Sequence, residues 1–302
     1  MKHLLSIESL SREQIYAILE LAEAKKSGRG PREEKPLEGQ CWALIFSKSS
    51  TRTRVSFEVG IRELGAQVMF LSATDIQLGR GEPIEDTARV MGRMLNGAVI
   101  RTFAQSDVEV FATHSGIPTI NALTDEEHPC QILSDLATIR EKLGGVEGRT
   151  VCFVGDGACN VAASWIWAAT KLDFELRIAA PPHFQPPDSL LERTRSQGRI
   201  GVFSNVREAA RGADVLYTDV WVSMGKEEET AFRLSQLAGY QINETLVAEA
   251  TPGALVMHCL PAYRGKEITA ETFERHARTL FDQAENRLHT QKAILQLLAR
   301  PS

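Results

Sequence analysis

The strongest constraint on the fold is a rhythm of short apolar blocks separated by longer amphipathic or polar stretches. Cys41 to Phe46, Ala66 to Leu71, Gly97 to Phe103, Thr150 to Val154, Glu175 to Ala180, Ile200 to Phe203, Val215 to Thr218 and Ala254 to Met257 all read as buried strands. Ile117 to Asn121 is a further short one. Helical stretches lie between several of them. Ser11 and Gln14 have capping-box spacing. Ile15, Ile18, Leu19 and Ala22 follow on one face, which predicts a helix ending near Lys25 to Gly28. Pro83 suits the first turn of a helix through Met94, and His128-Pro129 opens one running to about Leu143. Later helices are expected over about 188–197, 269–278 and 285–298. Strands alternating with helices imply parallel sheets, and ligands of such sheets sit at the carboxyl ends of the strands.

A chain of 302 residues is too long for one ordinary core and suits two α/β domains. Gly144, Gly145 and Gly148 mark a boundary, with one domain over 1–143 and a second beginning at 144. Charge is mixed, with a net value of −5. No basic block points to nucleic acid, no stretch is apolar enough to span a bilayer, and the N-terminal apolar run is too short for a signal peptide. The five cysteines are odd in number and form no CxxC pair. That fits unpaired thiols in a reducing compartment and predicts a cytoplasmic protein.

The chemistry concentrates at Ser49-Ser50-Thr51-Arg52-Thr53-Arg54, where a strand hands over to a helix. Free backbone N–H groups, the positive end of the helix dipole, hydroxyls and two arginines then converge on one point suited to a phosphate dianion. The helix behind places Val55, Val59 and Ile61 to Leu64 near one face. The competing reading is a capped helix with a solvated basic turn, in which Arg54 pairs with Glu58. Arg101 ends its strand on the same sheet edge. The side chains of His128-Pro129-Cys130-Gln131 face the same crevice, unless His128 is a capping or buried, satisfied histidine.

Gly155-Asp156-Gly157-Ala158-Cys159-Asn160 is a poor dinucleotide fingerprint, because Asn160 replaces the third glycine. Asn160 either offers its amide to a small ligand or serves as a helix N-cap. Asp219 at a strand end is placed to pair with a cation, or is a solvated turn residue. Val222-Ser223-Met224-Gly225 reads as a loop able to close over a site, with Gly225 as hinge. His128, Cys130, His258 and Cys259 lack zinc-ligand spacing, and neighbouring His258 and Cys259 face opposite ways on an extended chain. A cysteine nucleophile with a histidine base has no recognisable orienting group.

Taken together, Ser-Thr-Arg-Thr-Arg at 50–54, Asp-Ile-Gln-Leu-Gly at 75–79, Asp-Thr-Ala-Arg at 86–89, Arg-Thr-Phe at 101–103, His-Pro-Cys-Gln at 128–131, Asp-Val-Trp-x-Ser-Met-Gly at 219–225, His-Cys-Leu-Pro at 258–261 and Glu-Asn-Arg at 285–287 resemble the transcarbamoylases over essentially the whole chain. The 219–225 and 258–261 stretches mark the ornithine branch. The resemblance implies two doubly wound parallel-sheet domains joined by interdomain helices. The first would bind carbamoyl phosphate, with the helix over 285–302 packing back on it, and the second, bounded by the resemblance at 144–284, would bind ornithine. It also implies a homotrimer with shared active sites and no metal or organic cofactor.

Carried over, Ser50, Thr51, Arg52 and Thr53 would hold the phosphate, and Arg287 would help hold carbamoyl phosphate. Arg101, His128 and Gln131 would bind and polarise the carbamoyl group, with Gln77 reaching in from a neighbouring subunit. Asn160, Asp219, Ser223 and Met224 would hold the α-amino and carboxylate groups of ornithine, and Cys259 and Leu260 would touch the reacting end. Ser47-Lys48-Ser49 and Ala158-Cys159-Asn160 depart from the commoner family patterns. The expected reaction is carbamoyl transfer to the side-chain amine of L-ornithine, giving citrulline and phosphate. Two alternatives are a non-catalytic anion-binding paralogue, and a carbamoyltransferase for putrescine or an acylated ornithine.

Overall fold

A computed structural model describes residues 1–72 and 82–299. The chain divides into Met1–Ala137 with Glu285–Ser302, and Thr138–Ala284. In the first unit α1 (Arg12–Ser27) leads to β1 (Cys41–Phe46), α2 (Thr51–Glu63), β2 (Gln67–Ser72), α3 (Ile84–Met91), β3 (Gly97–Arg101), α4 (Gln105–Ser115) and β4 (Thr119–Leu123). Helix α5 (Pro129–Leu143) carries the chain into the second unit. There follow β5 (Thr150–Val154), α6 (Asn160–Lys171), β6 (Glu175–Ala179), α7 (Asp188–Thr194), β7 (Arg199–Phe203), α8 (Val206–Ala210), β8 (Val215–Thr218), α9 (Thr230–Leu237), α10 (Glu244–Val247), β9 (Leu255–His258) and α11 (Ala270–Arg275). Helix α12 (Ala277–Ala299) returns to the first unit.

Both sheets are parallel throughout, in the orders β2-β1-β3-β4 and β7-β6-β5-β8-β9. Strands covered on both faces read as unbroken apolar runs, which is why β1, β3 and β5 stand out in the sequence. Each chain segment begins inside its sheet, builds one side, then crosses to the other. The switch points therefore fall between β1 and β3, and between β5 and β8. Their carboxyl ends are the ligand crevices of such sheets. Phe46 lies in register with Arg101, and Thr218 lies between Val154 and His258.

Close packing sets several residues. Trp42 is fully buried against Gly97, where a Cβ would come within 2.4 Å of the indole ring. Only glycine fits there. In α1 the capping box is complete: Ser11 Oγ accepts from Gln14 N at 3.3 Å, and Gln14 Oε1 accepts from Ser11 N at 3.0 Å. On α12, fully buried Lys292 donates to Glu33 at 2.6 Å and Glu63 at 2.7 Å. Its stem passes Gly60 of α2, where a Cβ would stand 3.1 Å from Lys292 Cγ. An ammonium removed from water needs such partners, and two carboxylates supply them.

Several expectations change. The buried face of α2 is Thr53, Phe57, Gly60 and Ile61, while Val55 is exposed. At about 100° per residue, Val55 lies roughly 160° around the helix from Phe57 and cannot share its face. Helix α3 stops at Met91 rather than Met94. Helix α12 begins at Ala277, well ahead of residue 285. Helices α4, α8, α9 and α10 are not expected from the sequence; α8 and α10, with 5 and 4 residues, are too short to show a helical period. No helix among the described residues is long and apolar enough to cross a membrane.

Candidate functional site

In the first unit, the turn after β1 feeds directly into α2. Ser50 is the N-cap, its hydroxyl accepting from Thr53 N at 3.3 Å. Thr51 and Arg52 follow on the exposed face, at the positive end of a helix of 13 residues. Thr53 is fully buried and accepts from Arg287 Nη2 at 2.6 Å. Arg287 lies on α12 and is itself buried.

Arg101 ends β3 beside this turn, and its carbonyl accepts from Ser47 N at 2.8 Å. The carbonyl of His128 opens α5, accepting from Gln131 N at 3.0 Å, and the imidazole is buried. Burial, then the charges of Arg287 and Arg101, hold the His128 pKa well below 6.5. The ring is therefore neutral at neutral pH. Buried Gln131 donates to Asp135 at 2.9 Å. Thus Thr53, Arg101, His128 and Arg287 come together from four different elements, with Ser50, Thr51 and Arg52 at the helix mouth.

Arg54 does not join them. It pairs with Glu58 at 2.8 Å and lies over the Phe70 ring, 3.6 Å from its centroid. The capped-helix reading thus holds for Arg54, and one motif arginine rather than two remains at the helix mouth. Sequence reasoning also passed over Lys48. It is buried, bonds Asp125 and lies 4.3 Å from the Phe103 ring centroid. A lysine between two serines gives no periodic cue; its only signal was standing next to the hydroxyl run. Gln77 falls outside the described residues.

In the second unit, the carboxyl ends of β5, β8 and β9 stand side by side. Asp219 follows β8. Its Oδ1 accepts from Cys259 Sγ at 2.8 Å and from Val220 N at 2.7 Å. Burial raises its pKa above the ordinary carboxylate value, against the opposing pull of the Cys259 and Val220 hydrogen bonds. An unneutralised carboxylate in such a place favours a cationic ligand. Asn160 is the first residue of α6 and not its cap. Cys159 takes the cap position, its sulfur accepting from Ala162 N at 3.4 Å. Ser223 and Met224 lie on the loop after β8, Met224 exposed and Gly225 at φ 87°.

Strand β9 ends at His258, and the chain turns there, with Leu260 at φ 55°. The expected opposition of His258 and Cys259 is lost at this turn. One donor atom from each lies within 4.8 Å of the other and of an Asp219 oxygen. Both imidazole nitrogens are engaged, however. Nδ1 accepts from Leu260 N at 2.8 Å, so Nε2 carries the proton and faces fully buried Glu267 at 3.2 Å. The ring therefore orients the Cys259–Leu260 turn and has no lone pair to offer a metal.

Fold and crevices define a doubly wound α/β protein of two units, one with a cationic, hydroxyl-rich strand-end site and one with a carboxylate-bearing site. The family model described as aspartate/ornithine carbamoyltransferase, carbamoyl-P binding domain, matches residues 2–141. The companion Asp/Orn binding domain matches residues 147–298. An ornithine carbamoyltransferase of Akkermansia muciniphila is 55% identical, over 99% of this chain and 98% of that protein. One of Methanothermobacter thermautotrophicus is 50% identical over 99% of both. The crystal structure of anabolic ornithine carbamoyltransferase from Campylobacter jejuni superposes with a TM-score of 0.93 at 39% identity, covering 99% of both chains. The solved structure of ornithine carbamoyltransferase from Pyrococcus furiosus gives 0.91 at 42% identity, over 98% of this chain and 96% of that one. The chain belongs to the aspartate/ornithine carbamoyltransferase family.

Proposed function

We propose that the protein transfers the carbamoyl group of carbamoyl phosphate to the side-chain amine of L-ornithine, giving L-citrulline and phosphate. The observation that carries this reading is the cluster of Thr53, Arg101, neutral His128 and Arg287 at the first switch point. Such a cluster suits a small, doubly charged acyl phosphate. Ser50, Thr51, Arg52, Thr53 and Arg287 take the phosphate. Arg101 and His128 donate to the carbonyl oxygen as negative charge builds on it, with Gln131 on the carbamoyl nitrogen. Donors aimed at developing charge are the usual source of the largest catalytic contribution. A neutral imidazole serves here as a donor that holds its single proton throughout.

At the second switch point, Asp219 takes the α-ammonium of ornithine, and Asn160, Ser223 and Met224 take its carboxylate end. Cys259 and Leu260 serve the reacting end. The neutral amine attacks the carbonyl carbon, the C–O bond to phosphate breaks, and the amine proton leaves with phosphate. Residues 1–143 with 285–302 form the carbamoyl-phosphate domain in this reading, and 144–284 the ornithine domain. Arginine biosynthesis is the corresponding role, in the cytoplasm, by a homotrimer whose subunits share sites. The unpaired state of all five cysteines is in keeping with that compartment.

The test offers carbamoyl phosphate with L-ornithine, putrescine, N-acetylornithine and L-aspartate separately. Citrulline from ornithine alone is the expected outcome. Product from a different amine keeps the anion site and overturns the amino-acid site. Binding of carbamoyl phosphate without any product supports a non-catalytic paralogue.

A further inference from the structure

Arg233 sits in α9, directly after the loop that carries Ser223 and Met224. Its side chain is 9% exposed, and two of its hydrogen bonds reach the ends of that loop. Nη1 donates to Trp221 O at 3.2 Å, and Nε donates to Glu229 Oε2 at 2.8 Å. Trp221 and Glu229 are the two stems of the segment 222–228. A single planar cation thus holds both ends of the loop. Nη1 also donates to buried Asp156 Oδ2 at 2.7 Å. The guanidinium lies over Phe184, which packs with Trp221 and Leu237 in a small apolar cluster.

Asp156 has a second task. Its Oδ1 accepts from Ala158 N at 3.0 Å, in the turn that delivers Asn160 to the start of α6. The same ion pair therefore grips two separate stretches of the second crevice. Between the stems, Gly225 at positive φ and exposed Met224 leave the loop tip its own freedom.

We propose that the Arg233–Asp156 pair is a positioning device for amine selectivity, holding the Ser223–Met224 loop and the Asn160 turn in one fixed relation. This rests on the reading of those residues as the ornithine site. The fork of arginine is essential to it, because a lysine reaches Asp156 as a point charge and releases at least one stem.

The test compares wild-type protein with Arg233→Lys and with Glu229→Gln. Glu229 is a useful second position because its side chain is 48% exposed, and changing it leaves the core filled. Two readouts are taken: hydrogen exchange of the amides over 157–160 and 222–229 without substrates, and KM for each substrate. Arg233→Lys is expected to speed exchange in both segments and raise the ornithine KM about tenfold or more, leaving the carbamoyl phosphate KM unchanged within about twofold. Putrescine should gain on ornithine as a substrate in that variant. Glu229→Gln should loosen only 222–229, with a KM rise of about two- to threefold.

Unchanged exchange over 222–229 in Arg233→Lys overturns the proposal. So does an equal rise in both KM values, the mark of a merely structural role. Wild-type protein that makes no citrulline overturns the functional reading by itself, before any variant is compared.

Discussion

At the first switch point the chain assembles donors: two hydroxyls and an arginine at a helix mouth, two further buried guanidiniums and an uncharged imidazole. At the second it assembles acceptors, with a buried carboxylate as the centre and a thiol bonded to it. Topology is shared, since each crevice opens where the chain reverses its direction of building. The contrast shows that a doubly wound sheet supplies the place for a ligand and nothing about its sign. Sign comes from a few residues at strand ends, and each set is held by its neighbours. Thr53 is held by Arg287, whereas Asp219 is held by Cys259 and the amide of Val220.

The contrast is most easily broken at Arg52. Arg52→Ala should lower kcat/KM by about 10²–10³-fold, the usual cost of one transition-state donor, with the melting temperature unchanged. Steady-state kinetics beside a thermal melt decide this, and near-normal turnover would dismantle the anion-site assignment. Asp219→Asn comes next. It should weaken ornithine binding on the order of 100-fold while carbamoyl phosphate binds as before, because a buried carboxylate loses its charge and keeps its shape. Calorimetry with each substrate separates the two crevices, and an equal loss for both would erase the distinction between them.

A smaller effect is expected at Arg287→Lys. Losing the guanidinium fork beside Thr53 should raise the carbamoyl phosphate KM about tenfold. An unchanged value would remove Arg287 from the site.

The smallest effect is in pH. His128 has a folded-state pKa below its unfolded value of about 6.5. Its contribution to stability is therefore full above 6.5 and shrinks as pH falls through that window toward the folded pKa. Asp219 behaves oppositely. Its folded pKa lies above 3.8, so ionisation in the fold costs stability as pH rises past that value, and a bound ammonium recovers it. Ornithine affinity should accordingly weaken as pH falls through the raised Asp219 pKa. NMR titration of the two side chains checks both directions, and a His128 imidazole protonating at 6.5 would contradict the buried neutral donor.

Much of this was legible in the amino-acid sequence, for identifiable reasons. Strands β1 and β5 occupy the same residues as their apolar blocks, because strands buried on both faces have no polar interruptions. The capping box of α1 was visible because it is written in two residues at fixed spacing. Helix α4 was not, since its buried face begins and ends in polar Gln105 and Ser115. The site divides in the same way. Residues in contiguous motifs, such as Ser50 to Thr53, announce themselves. For Arg54 the competing reading prevailed: its pairing with Glu58 was legible one turn on, whereas its contact with the Phe70 ring, on another element, was not. Lys48 and Arg233 were missed because their partners lie 77 positions away in each case. Pairings over such distances exist only once the sheets have formed.

The bond from Arg287 to Thr53 joins residues separated by 234 positions. During synthesis, the anion crevice is therefore left incomplete while the whole second unit is translated. At about 5–20 residues per second, the interval is roughly ten to fifty seconds. A nascent chain stalled before α12 carries the full Ser50–Thr53 turn yet lacks its buried guanidinium, so the first crevice is completed only after the second unit has been made.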